Sequence, residues 1–535
     1  MGLSRRELLT LLLGAPLAEQ ACRRPPPRRY AGSVRGGSNE VGHRIRDGTV
    51  PGPTPGHPRR IGVVVVGAGA SGLSAAWELQ RQGVTDFEVL DLEAQPGGTS
   101  AFGTDGVVPY PWAAHYLPLP AAENRDLVAL LREMRVIDVG SGGELLPRPK
   151  MLVREPEERV FYDQSWHEGL VPVELASAEV RGEFDRFQRE VDRWVAWRDP
   201  QGRRAFALPR RRCSSAREVT ALDGLSAAQW LEQRNFRSPL LHWYVRYACQ
   251  DDYCCELDTT SAWAMLFYFA ARVRHPGEES APFLVWPEGN GRLIAHLTRV
   301  AGERLKLRRL VSNVVPREGH VEIDVLDVAS NAVERLHAER AILAIPKFIA
   351  GYLLAPWRES PPAFLDAFTY GVWMTANLHL ARRPRSRGFP FAWDNVLYDS
   401  PSLGYVVATH QTLRDQGPTV WTYYLPRTAE PAAARTQLEA QDHASFCDAI
   451  VADLGRAHED LADCIERIDV WRWGHAMIRP TPGFLWGTAR RAAAQPVGRV
   501  HFAHCDLSGL PLFEEAFDHG VRAAREVVGR LARAR

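Results

Sequence analysis

The clearest hydrophobic signal in the chain is Ile61–Val66 (IGVVVV), an unbroken run dominated by β-branched residues. A run with no polar position fits a strand covered on both faces, as in a parallel sheet, better than the one-sided alternation of a solvated strand. After it come Gly67–Gly72, apolar positions at helical spacing over Leu73–Gln82, and a second strand at Phe87–Asp91, which together predict a βαβ unit. From about Pro120 to Val273 the pattern is largely helical, most clearly at Asn124–Met134, Glu179–Trp197 and Thr259–Val273. Alternation at Gly371–Leu380 and Gly404–Thr409 predicts a second sheet between Tyr370 and Tyr424. No repeat of solenoid period is visible. The pattern gives an α/β fold class, with a central parallel sheet, a largely helical region and a second sheet.

A chain of 535 residues, 45% hydrophobic and 24% charged, is ordinary for a globular protein and too long for one core. Its net charge of +1 hides an asymmetry, because residues 1–60 hold eleven arginines against four acids and the rest is mildly acidic. An acidic body argues against a nucleic-acid partner. Lysine occurs only at Lys150, Lys306 and Lys347. The other end of the composition is equally uneven: Arg23–Arg60 is rich in Arg, Pro and Gly and is expected to be a mostly extended linker. Ahead of it, residues 1–22 combine Arg5 and Arg6 with an apolar run over Leu8–Ala18, the layout of an export signal. That run is far short of the roughly 20 residues that span a bilayer. Ser4–Leu9 resembles the twin-arginine motif, which implies export of an already folded protein by the Tat translocase of a bacterium, to the periplasm or to a membrane tether through lipidated Cys22. The remaining seven cysteines show no metal-ligand spacing and read as buried free thiols, so no metal site is expected.

Gly67-Ala68-Gly69-Ala70-Ser71-Gly72 lies between a strand and a helix, where its spacing has chemical meaning. Bare backbone at Gly67 and Gly69 turns tightly and admits a pyrophosphate, Ser71 belongs to the same helix mouth, and Gly72 lets helix and strand pack closely. The unpaired N–H groups of the helix end favour the phosphate charge. Asp91, at the end of the next strand, is placed for ribose hydroxyls.

The stretch after Asp91 resembles the flavoprotein superfamily of amine oxidases and phytoene desaturases. Glu93 and the pair Gly97-Gly98 stand where that superfamily has an acid, a short loop and Gly-Gly, with Thr99 in place of its usual Arg. The likeness continues at Trp286–Gly291 with the strand holding Val311, at Arg340–Pro346, and at Val500–Asp506 with Phe513–Ala524. It implies FAD as cofactor, the backbone at Val311 beside the adenine, Asp506 by the ribitol and phosphates, and the backbone at Phe513 facing the flavin O2. It also implies a Rossmann-type FAD-binding domain in three parts, 61–120, 285–350 and 466–535, with a discontinuous α+β substrate domain at 121–284 and 351–465.

A flavin removes hydride itself, so few catalytic side chains are needed. By the same resemblance Ala113–Tyr116 passes the flavin ring, making His115 and Tyr116 the nearest candidates to the reacting atoms. Many amine oxidases of the superfamily hold a water against the flavin with a lysine, for which Lys347 is the one candidate; either it serves from a shifted position or the device is absent. Trp473 and His475 are candidates for the pocket wall, with core packing the alternative. Tyr244, Tyr247, Tyr253, Trp263, Phe267, Tyr268 and Phe269 crowd a helical region around Asp251-Asp252, where aromatic walls and carboxylates suit a cationic amine, or are core residues with the aspartates capping a helix. The function expected is an FAD-dependent oxidoreductase removing hydride from a small organic molecule, an amine first, with O2 or another electron acceptor. The alternatives are a phytoene desaturase-like enzyme or isomerase acting on an apolar substrate, and a non-catalytic flavin-binding protein.

Overall fold

The computed structural model describes residues 28–172 and 175–532. The export signal, Cys22 and the start of the linker lie outside the described residues.

The run Ile61–Val66 is the centre of a mixed seven-stranded sheet. Four of its strands position the site: β1 (Arg59–Val66), β2 (Phe87–Leu90), β3 (Val333–Leu343) and β4 (Val500–Phe502). They are mutually parallel, β1 between β2 and β3, and β4 beside the second half of β3. Leu305–Lys306 extends the β2 edge, and two antiparallel strands, Val321–Asp327 and Arg309–Pro316, continue from the first half of β3. Val63 and Val65 pack on one face, with helices α1 (Ala70–Arg81) and α2 (Phe513–Ala532), and Val64 and Val66 on the other. That two-sided burial is why β1 has no polar alternation.

The second sheet has eight strands. Tyr370–Leu380 and Thr419–Arg427 run through its middle, buried at every position except Arg427. Their side chains alternate between two different environments. Val372, Met374, Ala376 and Leu378 meet the helices Pro431–Ala440 and His443–Leu454, whereas Trp373, Thr375 and Tyr424 face a cavity. A third core is helical, joining Ala178–Ala196, Ala227–Gln233, Pro239–Tyr253 and Ala262–Ala270.

Three sequence expectations need correction here. Residues 34–36, expected in an extended linker, pair in parallel with Ile465–Ile478 at the edge of the second sheet. The helix Asn39–Arg46 comes next, resting Val41 and Ile45 on Leu310, Leu326 and Val333. Its Arg/Pro/Gly content hid this because the strand is specified by a distant partner's backbone. Second, Glu158–Tyr162 and Ser165–Glu168, inside the region read as helical, are strands of the second sheet. Third, Ile465–Ile478 belongs to that sheet too, so the last return to the Rossmann-type sheet begins at β4 and not at 466.

Candidate functional site

The carboxyl ends of β2, β1, β3 and β4 form one row, with Leu90, Val66, Leu343 and Phe502 side by side. Just past that row the chain opens a cavity of about 430 Å³, lined by Asp91, Gly67, Ala344 and His504, by Gly69 and Ser71 at the mouth of α1, and by Gly97, Gly98 and Thr99. Ligands of doubly wound sheets sit at such carboxyl ends. Gly67 takes φ +100°, and a Cβ on Gly72 would stand 1.8 Å from the Gly67 carbonyl oxygen, so these two positions set the tight turn and the close packing of helix on strand. A Cβ on Gly69 would meet no atom within 4 Å and would enter the cavity.

Asp91 closes one end. Its Oδ2 accepts the Ala68 N–H at 2.5 Å and its Oδ1 the Glu93 N–H at 2.8 Å. Each oxygen keeps a lone pair for a hydroxyl donor. Burial pushes this carboxyl up to about 6, with the two N–H donors working against the rise. Ser71 Oγ and Asn290 Oδ1 are buried, line the cavity and have no hydrogen-bond partner among the described residues. A Gly-lined helix mouth, a ribose-type acid and two unpartnered polar atoms are what an extended dinucleotide would satisfy, and the residues present fit FAD.

At the far end the cavity is aromatic and acidic. His115, Tyr116, Trp373, Tyr424, Trp473 and His475 line it together with Asp251, Asp252, Arg272 and Glu514. His115 lies tilted against Tyr424, with ring centroids 4.8 Å apart, and burial lowers its pKa to about 4, so its ring is neutral. Tyr424 donates its hydroxyl to the Ala113 carbonyl at 2.7 Å, fixing the loop that carries His115. Trp473 Nε1 donates to Thr375 Oγ1, and His475 stacks on Phe348.

Asp251 and Asp252 occupy the last turn of the helix Pro239–Tyr253; they do not cap its start. Burial raises both; for Asp251, pushed up to about 7, the Asp252 charge adds to the rise and Arg272 opposes it, and for Asp252 the rise is opposed by Arg272, whose guanidinium lies 3.6 Å away, and by the Tyr116 hydroxyl. The negative end of the helix macrodipole adds to that rise. A small side chamber shares His115, Tyr116, Asp251 and Tyr424 and adds Glu158, Asp394, Tyr247 and Tyr268. Of the aromatic residues singled out in this region, Tyr253, Trp263 and Phe267 are core, while Tyr247 and Tyr268 face this chamber.

Five candidates do not reach the cavity. Glu93 is engaged by Ser38, whose N–H and hydroxyl each donate to it at 2.8 Å. Val311 lies on the strand Arg309–Pro316 of the first sheet, its side chain buried among Val64, Leu90 and Leu343. Asp506 has a fully buried side chain behind His504. Lys347 is buried with Nζ 3.2 Å above the Phe502 ring and no hydrogen-bond partner, and burial drives its pKa well down. Among the described residues no lysine lines the cavity, so the structure places no lysine where the resemblance would have one hold a water. Gly72 also stays off the cavity, acting through packing. Phe513 does line it, at the opening of α2. Residues not singled out in the sequence are His504 and Glu514, which lie inside the closing segments Val500–Asp506 and Phe513–Ala524 without a role of their own there, and Arg272, Trp373 and Tyr424, which carry no local motif; they meet only through the fold.

No curated protein sequence matches this chain significantly. Solved structures with the same fold include a putrescine oxidase double mutant, with TM-score 0.65 and 18% identity over 89% of this chain and 100% of that one. Wild-type putrescine oxidase bound to putrescine gives TM-score 0.65 and 17% identity with the same coverage. Cyclohexylamine oxidase from Brevibacterium oxydans IH-35A gives TM-score 0.63 and 15% identity over 88% of this chain and 99% of that one. Residues 70–528 match the family described as flavin containing amine oxidoreductase, and on that match the chain belongs to this family of FAD-dependent enzymes.

Proposed function

We propose that this enzyme oxidises a small cationic amine at the aromatic and acidic end of its cavity. The observation that carries the reading is continuity: one cavity is lined at one end by the glycine mouth and Asp91, and at the other by Tyr116, Asp251, Asp252 and Glu514. Amines are ammonium ions near neutral pH, and carboxylates between aromatic faces suit such a cation. Putrescine oxidase and cyclohexylamine oxidase, which share the fold, act on amines by their names.

Bound FAD supplies the hydride acceptor: the C–H bond next to nitrogen breaks, its electron pair leaves with hydrogen, and the amine becomes an imine that water hydrolyses to a carbonyl compound and ammonia. The chain's own tasks are to receive the ammonium, take its proton and exclude water. A lone pair on nitrogen is needed before hydride leaves, so a proton must go to the protein. His115, at about 4, is a poor acceptor for a proton from an ammonium of pKa about 10. Asp251, at about 7, is the better match, and His115 serves as a neutral wall that orients the substrate. O2 or another acceptor would be the final oxidant. Export by the twin-arginine route stays part of this reading, and recovery of the protein only from the cytoplasm of its own host would dismiss it.

The deciding experiment is anaerobic addition of amines to the FAD-loaded protein while its visible flavin bands are followed. Bleaching by a primary amine, and none by the matching alcohol, is expected. Bands left unchanged by every amine tried, in protein that reduces normally with dithionite, would defeat the reading.

A further inference from the structure

In the row of strand ends, the chain leaves β4 through Ala503 into His504, and His504 lines the cavity. Neighbouring strands lie about 4.8 Å apart, so His504 stands about 10 Å along the row from Gly67, away from Asp91. The same chain segment then opens α2 at Phe513. An FAD laid with its ribose at Asp91 and its ring toward Phe513 and His115 passes over His504.

The imidazole of His504 is held from behind. Its Nδ1 lies 2.9 Å from Asp506 Oδ1, an oxygen with no other hydrogen-bond partner. Asp506 Oδ2 accepts the Tyr370 hydroxyl at 2.5 Å and the Lys347 N–H at 2.8 Å. In the neutral ring Nδ1 accepts the Asp506 N–H at 3.2 Å, leaving the proton on Nε2; in the charged ring Nδ1–H is donated to Oδ1, the shorter contact, where a buried carboxylate needs a counter-charge.

We infer that His504 is a cofactor-holding residue, its Nε2–H donating to an oxygen of the diphosphate–ribityl link of FAD, with Asp506 as the positioning residue behind it. This rests on FAD lying along the row, and it reassigns to His504 the contact that the resemblance gave to Asp506.

Burial opposes a charge on the imidazole, but the adjacent Asp506 overrides that and holds it protonated well above the ordinary histidine range. The other groups around it do not supply this charge. Cys505 is on the same loop, 3.6 Å from Nδ1. Tyr370, from the second sheet, is bound to Asp506, and the Lys347 Nζ turns away over Phe502. On α2, burial keeps His519 neutral, and Arg522 is spent on His519, Glu526 and the Phe502 carbonyl. Thr99, where the superfamily usually has arginine, brings no charge of its own, so a cation from β4 answers a deficit in the glycine loop.

Titrating the apo-protein with FAD, read by quenching of flavin fluorescence, tests the assignment. A charge-assisted hydrogen bond predicts that His504→Ala weakens FAD binding roughly tenfold to a hundredfold. Asp506→Asn weakens it less, and the double variant is no weaker than His504→Ala alone, because Asp506 acts through the ring. His504→Gln, which keeps a donor but no charge, removes the loss of FAD affinity that the wild type shows at alkaline pH. Riboflavin binding unaffected by His504→Ala puts the contact on the diphosphate, and a parallel loss puts it on the ribityl hydroxyls. His504→Ala binding FAD within twofold of wild type, or strictly additive losses, overturns the inference. Failure of amines to bleach the FAD-loaded wild type would strike the amine reading alone and leave this titration standing.

Discussion

Asp91 Oδ2 accepts the backbone N–H of Ala68 at 2.5 Å, tying the end of β2 to the glycine loop after β1. The acid therefore shapes the phosphate mouth as well as offering lone pairs to a sugar.

That double duty makes FAD affinity depend on pH. Burial raises Asp91 to about 6, so the folded apo-protein holds a proton there that the unfolded chain, near 3.8, has lost. Stability from that proton is present at low pH and fades as pH rises toward 6. Hydroxyl donors from a ribose favour the ionised form, so FAD binding expels the proton. The FAD dissociation constant should fall by up to about tenfold per pH unit between pH 5 and 6 and level off above, because one proton is released. Asp91→Asn should flatten that limb and bind FAD weakly throughout; an unchanged limb in the variant would remove Asp91 from the site.

Gly69 and Gly72 differ in what an added methyl would meet. Gly72→Ala puts Cβ 1.8 Å from the Gly67 carbonyl oxygen, so helix and strand must part. A loss of about 1–3 kcal/mol or more in apo-protein stability is expected from such overpacking. Gly69→Ala meets nothing and should melt like the wild-type apo-protein while losing FAD affinity. Thermal melts of the two apo-variants, beside FAD titrations, separate the effects.

Lys347 buries an unpartnered amine among Trp357 and Phe502. Only its backbone N–H serves the site, through Asp506. Lys347→Met keeps that N–H and removes a desolvated polar head, so amine-driven flavin bleaching should stay within about twofold of wild type and the apo-protein should melt at the same temperature or higher. A hundredfold loss of bleaching rate with FAD still bound would return the lysine to the catalytic machinery.

Asp251 should govern how the substrate ammonium binds. Replacing it with Asn removes one partner of a charge-assisted contact and the acceptor of the ammonium proton, so it should raise KM for an amine roughly tenfold or more and lower kcat as well. In the wild type the carboxylate ionises only as pH rises through about 7, so KM should fall across that range, and the variant should lose the trend. His115→Gln should instead lower kcat with a smaller change in KM. Steady-state kinetics of both variants from pH 6 to 8.5 distinguishes binding from orientation.

The sequence carried the parts of the site whose meaning is local. Gly67–Gly72 and Asp91 are read from spacing alone, because a tight turn between strand and helix and an acid at the next strand end are set by adjacent residues. Glu93, Asp506 and Lys347 sit close in the chain to the right places yet point elsewhere, since which neighbour a side chain meets depends on distant elements: Ser38 for Glu93, Tyr370 for Asp506, the Phe502 ring for Lys347. His504 escaped notice for the same reason: it lies inside the closing segment Val500–Asp506, but nothing local marks which of that segment's side chains faces the cavity until three other strand ends arrive beside it. The acidic end of the cavity is assembled from a helix end, a turn after another helix and the first turn of α2, so no window of the chain displays it.

The N-terminal segment makes a further consequence of that non-local wiring measurable. Residues 34–36 complete the edge of the second sheet, the helix Asn39–Arg46 covers Leu310, Leu326 and Val333 beside the first, and Ser38 between them holds both oxygens of Glu93. One short segment thus clasps both sheets and the loop beyond Asp91. A chain starting at residue 28 should fold and take up FAD, whereas one starting at residue 59 bares a strand edge and an apolar patch and leaves Glu93 unpartnered. The shorter chain should melt lower, bind FAD more weakly and aggregate more readily. Ser38→Ala, which deletes only the hydroxyl contact, should weaken FAD binding by a few-fold at most with little change in melting, because the backbone N–H of Ser38 still reaches Glu93. If the chain from residue 59 were to melt and bind FAD like the longer one, the segment would be the passive linker its composition suggests.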